Sequence, residues 1–201
     1  MAKLEFFFDV SSPWTYLAFH RIEPFAAETG AEIVWKPFLV GGVFNKVNPS
    51  VYQRRENPIP AKDAYYKKDM ADWARYEGVE INSPSVFPLN SVRPMRGCFV
   101  ALDRGCLPAY ARGCFEAYWR DGQDISQPDL LAAVAAKAGL DPQDFLAAIQ
   151  QDAVKQKLFD VTDEAIARGV FGSPTFFLDG DDMYFGNDRL ELIRVAIARQ
   201  R

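Results

Sequence analysis

Ser12 is the residue of this sequence whose type and position point most directly to chemistry. It follows an aromatic-rich run, Lys3–Asp9, and precedes Pro13, so Ser12 and Pro13 fit the N-cap and the first position of a helix. A helix N-terminus presents unpaired N–H groups and positive potential, which favour an anion such as a thiolate. Because serine is also an ordinary capping residue, this position is compatible with both capping and anion binding.

The other reactive residue types give little support for metal or catalytic-triad chemistry. His20, the single histidine, lies in the middle of the predicted first helix, where a packed or partly exposed residue is more common than a base. Cys98, Cys106 and Cys114 are eight residues apart, which matches neither a CxxC redox pair nor a usual zinc pattern. We therefore expect reduced, buried thiols and no metal site. The sequence contains no glycine-rich phosphate loop.

The predicted elements around Ser12 form the beginning of a parallel βαβ unit. The run Lys3–Asp9 is short and rich in phenylalanine, as expected of a strand that is buried on both faces. A mostly apolar helical stripe follows Ser12 and ends at Gly30, and Glu32–Phe38 has the composition of a second strand. Strand, helix and strand in succession are typical of a parallel unit.

The end of the chain returns to strands. Thr175–Leu178 and Met183–Phe185, which are separated by a turn, predict a β-hairpin. Arg189–Arg199 has the apolar spacing of a closing helix, with Asn187 or Asp188 as its cap. The predicted order of elements is therefore βαβ, a helical insertion, and ββα.

The insertion is predicted from the middle of the chain. From about residue 62 to 168 the signals are helical and the strand signals disappear, which indicates an inserted helical domain. Residues 45–60, in which Asn and Pro recur, have the composition of an irregular loop, and loops of this length are often functional. We divide the chain into an α/β domain of residues 1–40 and 169–201, and a loop with an inserted helical domain over residues 41–168.

Composition narrows the class of partner. The chain has 201 residues, of which 23 are basic and 27 acidic, so a nucleic-acid or anionic-membrane surface is not expected. No apolar stretch approaches the roughly 18 to 20 residues that span a bilayer. The N-terminus lacks the pattern of a secretory signal. We expect a soluble, cytoplasmic protein whose partner is a small neutral or anionic molecule.

The predicted order of elements is similar to the thioredoxin fold in its DsbA-like form, in which a cis-proline before the third strand faces the active site. Pro174 has this position. Phe8–Leu17 resembles the F-D-x-x-S-P-x-x-Y-L opening of 2-hydroxychromene-2-carboxylate isomerases and of the related kappa-class glutathione transferases. Further segments resemble this family in the family's order, namely Pro60–Lys62, Phe87–Ser91 with Arg96, Gly169–Phe176 and Phe185–Leu190. The resemblance spans the chain and implies an α/β, thioredoxin-like fold with a large all-helical insertion.

The resemblance also implies a bound cofactor, glutathione. In this family the glutathione sulfur lies near the residue that matches Ser12, whose hydroxyl donates to the thiolate but cannot form a disulfide. The backbone of Ser173, before a cis-Pro174, pairs with the cysteinyl backbone of glutathione in a strand-like way. An alternative is that Pro174 is only a proline tolerated at the first residue of a strand.

The two ends of glutathione are expected to meet other parts of the chain. By resemblance, Gly186, Asn187 and Asp188 lie at the γ-glutamyl end, where Asp188 matches the α-ammonium and free helix N–H groups take the α-carboxylate. Lys62 matches the family lysine that faces the other carboxylate. The alternatives are a capping role for Asn187 and Asp188 and a solvated surface position for Lys62.

An aromatic acid is the substrate that the resemblance implies. Asn45, Asn48, Asn90 and Arg93 lie in segments that flank the active site in the family, where polar groups orient an anionic aromatic acid. Ordinary loop positions are the alternative for all four. The resemblance does not choose between Asn45 and Asn48, because the loop that holds them is longer than the shortest family versions. It also implies a homodimer.

The implied activity is the glutathione-dependent isomerisation of 2-hydroxychromene-2-carboxylate, or a related aromatic acid, to the open-chain trans-o-hydroxybenzylidenepyruvate. A kappa-like glutathione transferase or peroxidase is an alternative that shares Ser12 but consumes the thiol. A thiol-disulfide oxidoreductase is disfavoured because no cysteine lies near Ser12. A non-catalytic thioredoxin-like binding module is the alternative from another class.

Overall fold

The phenylalanine-rich run at the N-terminus forms a central strand of a mixed sheet. The computed structural model describes residues 1–200, and its sheet has the order β2-β1-β3-β4. Strand β1 pairs in parallel with β2 and antiparallel with β3, and β4 pairs antiparallel with β3. The strands are β1 (Lys3–Phe8), β2 (Glu32–Pro37), β3 (Thr175–Leu178) and β4 (Asp182–Phe185). The predicted βαβ and hairpin units are confirmed.

Helix α1 (Pro13–Thr29) joins the two parallel strands and begins and ends where the sequence predicts. Ser12 is its N-cap and Pro13 its first residue, while Gly30 ends it in the left-handed conformation at φ 66°. Between the two parts of the sheet the chain is helical. The helices are α2 (Val40–Lys46), α3 (Ser50–Glu56), α4 (Pro60–Glu77), α5 (Val92–Asp103), α6 (Leu107–Phe115), α7 (Pro128–Lys137), α8 (Pro142–Ala148) and α9 (Asp152–Ala167). A π-helical turn, Glu116–Arg120, follows α6, and α10 (Leu190–Arg199) closes the fold.

The predicted irregular loop over residues 45–60 is wrong, because most of this segment is helical. It contains the end of α2, all of α3 and the start of α4. Pro49 is the N-cap of α3 and Pro60 is the first residue of α4, positions at which proline does not interrupt a helix. Helix α3 buries none of its residues, so no apolar stripe marked it in the sequence.

The hydrophobic core continues from the sheet into the inserted helices. Phe6 and Phe8 point to one face of β1, where Phe6 stacks on Phe176 with ring centroids 5.0 Å apart. Tyr16 of α1 stacks on Phe115 of α6 at 5.3 Å, within the same cluster of buried residues. Phe7 points to the other face, which α2 and α9 cover. The division of the chain at residues 40 and 169 stays a prediction.

None of the helices formed by residues 1–200 is both long enough and apolar enough to cross a membrane.

Gly97, on α5, provides a test of how closely the inserted helices pack. An alanine Cβ at this position would overlap the Tyr110 hydroxyl and lie 2.7 Å from Phe145 Cζ, and both rings are buried. Overpacking of this kind costs about 1 to 3 kcal/mol, which outweighs the better helix propensity of alanine. Gly97→Ala should therefore lower the free energy of unfolding, measured by urea denaturation.

The control is Gly41→Ala on α2, where the added Cβ would have no neighbour within 4 Å. This variant should be neutral or slightly stabilised, since alanine is favoured over glycine in a helix. Equal stability of the two variants would contradict the packing argument.

Candidate active site

Two segments from opposite ends of the chain meet at the N-terminus of α1. The Ser12 hydroxyl donates to the Ser173 carbonyl oxygen at 2.9 Å, while its oxygen accepts the Thr15 N–H at 3.2 Å as the helix cap. The Ser173–Pro174 peptide bond is cis. Ser12 therefore caps α1 and joins it by a hydrogen bond to the segment before β3. Capping and anion binding, the two roles predicted for Ser12, concern the same position at the N-terminus of α1.

The Ser173 side chain is used by the protein, whereas its backbone N–H is free. Its hydroxyl accepts the Asp9 N–H at 3.1 Å and shares a 2.7 Å hydrogen bond with the Thr15 hydroxyl. Among residues 1–200, the Ser173 N–H and the Trp14 N–H at the start of α1 donate to no other group. These two donors are the ones that the site offers to a ligand at this point.

Asp9 lies beneath the site and was missed as a functional candidate in the sequence. One carboxylate oxygen accepts the Ser11 N–H at 2.9 Å, and the other accepts the Val40 N–H at 2.9 Å and the Ser91 hydroxyl at 3.0 Å. Asp9 is fully buried, and this burial raises its pKa, while the donated hydrogen bonds act in the opposite direction. The available signal was an acidic residue directly after three buried phenylalanines.

Val10, the next residue of the turn, is fixed by the inserted helices. The Trp119 indole N–H donates to the Val10 carbonyl oxygen at 2.9 Å, and the Val10 N–H lies 3.4 Å from the Met95 sulfur. Asp9, Val10 and Ser12 are therefore each held by groups outside the turn, and Ser11 is held by the Asp9 side chain. The inserted helices determine where Ser12 sits.

The segment after β4 forms the edge of the site next to Pro174. The Gly186 N–H donates to the Pro174 carbonyl oxygen at 3.1 Å, and Gly186 has φ 115°, a conformation that favours glycine. Asn187 is 4% exposed, and its side-chain nitrogen has no hydrogen-bond partner among the described residues. Asp188 forms an ion pair with Arg189 at 3.3 Å. A buried donor without a partner is unusual and is suited to a ligand.

The predicted capping role of Asn187 or Asp188 is wrong. A short 3₁₀ turn, Asn187–Arg189, precedes α10, and neither side chain makes a capping hydrogen bond. The turn changes the position that caps the helix, because α10 begins at Leu190 and its N-cap is Arg189. The first N–H groups of such a turn lack intrahelical partners and stay available to an anion.

The two candidate asparagines on this side of the site have different surroundings. The Asn48 side chain donates to the Phe171 carbonyl oxygen at 3.2 Å, two residues before Ser173. The Asn45 side chain accepts the Tyr52 hydroxyl at 2.8 Å and links α2 to α3. The structure therefore brings Asn48, rather than Asn45, to the segment that precedes the cis bond.

Asn90 and Arg93 make local structural contacts at the start of α5. The Asn90 side chain accepts the Val92 N–H at 3.3 Å, and Arg93 donates to the Ser126 carbonyl oxygen at 3.1 Å. No hydrogen bond joins either residue to the turn that holds Ser12 in the described chain. The residue between them, Ser91, makes that connection through Asp9 instead.

Lys62 lies in the first turn of α4 and lines a groove between α3 and α4. The groove has a volume of about 340 Å³ and is lined by Arg54, Ala61, Lys62, Tyr65, Tyr66 and Asp69. The Tyr66 ring packs edge-on against Trp14, with centroids 5.5 Å apart, so the groove borders the first turn of α1. Burial raises the pKa of Tyr66, although a hydrogen bond with Trp14 acts in the opposite direction. The Tyr66 hydroxyl is therefore neutral near pH 7.

The cysteines lie outside this site. Cys98 and Cys114 are buried and unpaired, and burial raises the pKa of both thiols, that of Cys114 to about 12. Cys106 is also unpaired but only partly buried, so the predicted burial holds for two of the three. Within residues 1–200, no group of three or more His, Cys, Asp or Glu side chains is placed to hold a metal ion.

Comparison with known proteins places this arrangement in a family. The chain matches the model of the DSBA-like thioredoxin domain over residues 3–198. It is 36% identical to 2-hydroxychromene-2-carboxylate isomerase from Pseudomonas sp. (strain C18), over 96% of this chain and 89% of that protein. A solved 2-hydroxychromene-2-carboxylate isomerase superposes with a TM-score of 0.83 at 31% identity, covering 98% and 95% of the two chains.

The chain belongs to the 2-hydroxychromene-2-carboxylate isomerase family of DsbA-like thioredoxin domains. Glutathione S-transferase kappa 2 from Caenorhabditis elegans is also related, at 31% identity over 97% of this chain and 91% of that protein. The family and the thioredoxin-like fold predicted from the sequence are confirmed. The ligand of the site and the roles of its residues stay predictions.

The burial of Asp9 leads to a prediction about stability and pH. Its pKa is raised above the ordinary 3.8 in the folded state, so its ionisation lowers the free energy of unfolding as the pH rises from 3.8 through the folded pKa. Asp9→Asn cannot ionise, but its amide NH₂ replaces an oxygen that accepts a hydrogen bond and so faces another donor. This mismatch costs about 1 to 3 kcal/mol. The stability difference between the native chain and Asp9→Asn should therefore narrow from pH 3.5 to pH 7 in urea unfolding.

Asp72→Asn is the control with the opposite sign. Asp72 is only partly buried, and hydrogen bonds from Lys68 and Arg75 lower its pKa below 3.8 in the folded state. Its ionised form stabilises the fold above that value, and this contribution is lost as the pH falls. A gap that widens toward pH 7 for Asp9→Asn would show that its hydrogen bonds outweigh its burial.

Proposed function

We propose that this protein is a glutathione-dependent isomerase that interconverts 2-hydroxychromene-2-carboxylate, or a related aromatic acid, and open-chain trans-o-hydroxybenzylidenepyruvate. The observation that carries the proposal is Ser12 at the N-terminus of α1, hydrogen-bonded to Ser173 beside a cis-proline. This serine stands in a family whose curated relatives are named as isomerases of that acid.

Three features support glutathione as the bound thiol. The Ser173 N–H is a free backbone donor that can pair with a peptide, and the Trp14 N–H is a free donor at the positive end of α1. The unpartnered Asn187 side-chain nitrogen is a buried donor beside the 3₁₀ turn. A tripeptide with a thiol and two charged ends needs donors of this kind at separate points.

The chain's residues divide the binding of glutathione among them. Ser173 holds the cysteinyl backbone, and Gly186, Asn187 and Asp188 receive the γ-glutamyl end, where Asp188 matches the ammonium and turn N–H groups take the carboxylate. Lys62 receives the carboxylate at the other end. Bound glutathione would supply a thiolate nucleophile for reversible addition to the conjugated acid. The ring C–O bond of the acid opens to a ketone and a phenol, which permits rotation about the former double bond, and the thiolate then leaves unchanged.

Ser12 changes partner in this scheme. In the free protein its hydroxyl donates to the Ser173 carbonyl oxygen, and we propose that it donates to the thiolate when glutathione is bound. The Ser12 oxygen continues to accept the Thr15 N–H, so the helix cap is kept. Ser12 thus stabilises the nucleophile and takes part in no covalent bond.

The groove between α3 and α4 supports an anionic aromatic substrate. Tyr65 and Tyr66 provide ring surface and Arg54 provides positive charge, while Lys62 at the edge of the same groove is left to the carboxylate of glutathione. The Arg54 guanidinium lies 5.8 Å from the Tyr66 ring centroid and makes no ion pair within residues 1–200. Its donors are therefore available to a carboxylate.

A kappa-like glutathione transferase is the second candidate, and the kappa relative from Caenorhabditis elegans favours it. It would use the same Ser12 and the same thiol site but would consume glutathione. A non-catalytic thioredoxin-like module would use the site for binding alone.

A glutathione-dependence assay separates these candidates. The isomerase should convert the chromene acid, followed by ultraviolet absorbance, only when glutathione is present, and the glutathione concentration should stay constant over many turnovers. Loss of glutathione in proportion to product would favour the transferase. If the protein does not accelerate conversion of the chromene acid, with or without glutathione, the result would favour the non-catalytic binding module.

Ser12→Ala tests the role of the hydroxyl as a donor. A hydrogen bond to a charged group contributes about 1.5 to 3 kcal/mol, so its loss should raise the pKa of bound glutathione by about one to two units. At pH 7 the rate should fall about tenfold to a hundredfold, softened by the greater nucleophilicity of a more basic thiolate. Raising the pH should recover much of the rate in the pH-rate profile with saturating glutathione.

Asp141→Ala is the matched control for the lost cap. Asp141 caps α8, accepting two backbone N–H groups, and makes no contact with the site segments. It should lower stability by about 0.5 to 2 kcal/mol, as Ser12→Ala does, without moving the pH profile. Activity of Ser12→Ala that stays near zero at every pH, while glutathione still binds as a thiolate, would refute the donor role.

A further inference from the structure

Asp9 is a buried carboxyl group beside the candidate anion site at the N-terminus of α1. Each of its oxygens accepts a backbone N–H, from Ser11 and from Val40, and these hydrogen bonds favour the ionised form against the cost of burial. The Ser12 N–H donates to the Asp9 carbonyl oxygen at 3.1 Å, so both residues belong to one tight turn. When Asp9 is ionised, its negative charge therefore lies next to the positive end of α1.

The groups that face Asp9 do not neutralise it. Cys98 of α5 and Tyr118 of the π-helical turn are the titratable groups that interact with it, and burial raises the pKa of both, that of Tyr118 to about 12. Both are therefore uncharged near pH 7. Within the described chain no Lys, Arg or His side chain contacts Asp9, which is balanced only by Ser11, Val40 and Ser91.

This charge acts against the other features of the site. The N-terminus of α1, the free Trp14 N–H and the Ser12 hydroxyl all favour an anion at this point. Helix N-termini of this fold class can lower a thiol pKa to about 3.5. Such a thiolate is abundant at pH 7 but weakly nucleophilic, and the best attacking thiol has a pKa near the ambient pH.

We propose that Asp9 is a positioning residue whose buried negative charge opposes the potential of α1 and keeps the thiolate at Ser12 basic enough to react. Its three hydrogen bonds fix the turn, and its charge limits how strongly that turn stabilises an anion. The effect of Asp9 on the reactivity of glutathione rests on the proposed function. The effect of its charge on the pKa of a thiol at position 12 does not require glutathione.

A thiol introduced by Ser12→Cys measures the potential directly. Cys98 and Cys114 are buried, and Cys106→Ser removes the partly exposed thiol, so the new thiol is the one that titrates and alkylates. Its pKa is read from thiolate absorbance and from the pH dependence of iodoacetamide reaction. Adding Asp9→Asn to this protein should lower that pKa by about one unit, since a like charge disfavours ionisation.

Ser91→Ala is the matched control, because it removes one hydrogen bond to Asp9 and keeps the charge. It should leave the pKa of the introduced thiol unchanged or slightly higher. A loosened turn would weaken the anion site and raise the pKa in both variants. An unchanged or higher pKa in Asp9→Asn, or an equal fall in Ser91→Ala, would overturn the inference.

The carbon chemical shift of the Asp9 carboxyl covers the case in which Asp9→Asn does not fold. In the Ser12→Cys protein this carboxyl should be ionised at the pH at which the introduced thiol titrates, because only an ionised Asp9 opposes the thiolate. A carboxyl that is still protonated at that pH would overturn the inference as well.

With glutathione and Ser12 intact, the same charge has a kinetic signature. Asp9→Asn should move the acidic limb of the pH-rate profile about one unit lower and reduce the plateau rate roughly threefold. If no glutathione-dependent activity is found in the native chain, the proposed function fails, and the result with the introduced thiol still decides the role of Asp9.

Discussion

The turn between β1 and α1 is the constraint on which the rest of the site depends. Residues 9–12 are largely removed from water, so their backbone groups need partners inside the protein. The Asp9 N–H donates to Ser173, the Val10 carbonyl accepts the Trp119 indole, and the Ser12 N–H returns to Asp9. The first two bonds fix the segment before β3 and the π-helical turn relative to the start of α1, and the third closes the turn itself. Together these contacts determine the position of Ser12.

The inserted helices therefore help to build the candidate active site and also cover the sheet. Met95 and Trp119 contact the turn from one side, and Ser91 reaches the Asp9 carboxylate. The packed rings of Tyr16 and Phe115 join α1 to α6 within the same core. Because these contacts are buried, a change in the insertion that moves α5 or α6 would also move the residues around Ser12.

The N-terminus of α1 has donors that suit an anion, and no cysteine lies beside them. Ser12 stands at the helix N-terminus, and the free N–H groups of Trp14 and Ser173 lie beside it. Thiol chemistry at this point therefore requires a thiol from a bound molecule, and the donors around Gly186 and Asn187 suit the end of such a molecule.

The sequence by itself determined the features that are local in the chain. Apolar periodicity and the Ser12-Pro13 cap defined the βαβ start, and ordered motifs along the chain indicated the family. Only the tertiary structure decided which residues meet: it joined Asp9 to Ser91, gave Asn48 rather than Asn45 to the Ser173 segment, and showed that residues 45–60 are helical. The physical reason is that a buried carboxylate and an exposed short helix leave no periodic signal, because long-range hydrogen bonds and packing, rather than neighbours in sequence, determine them.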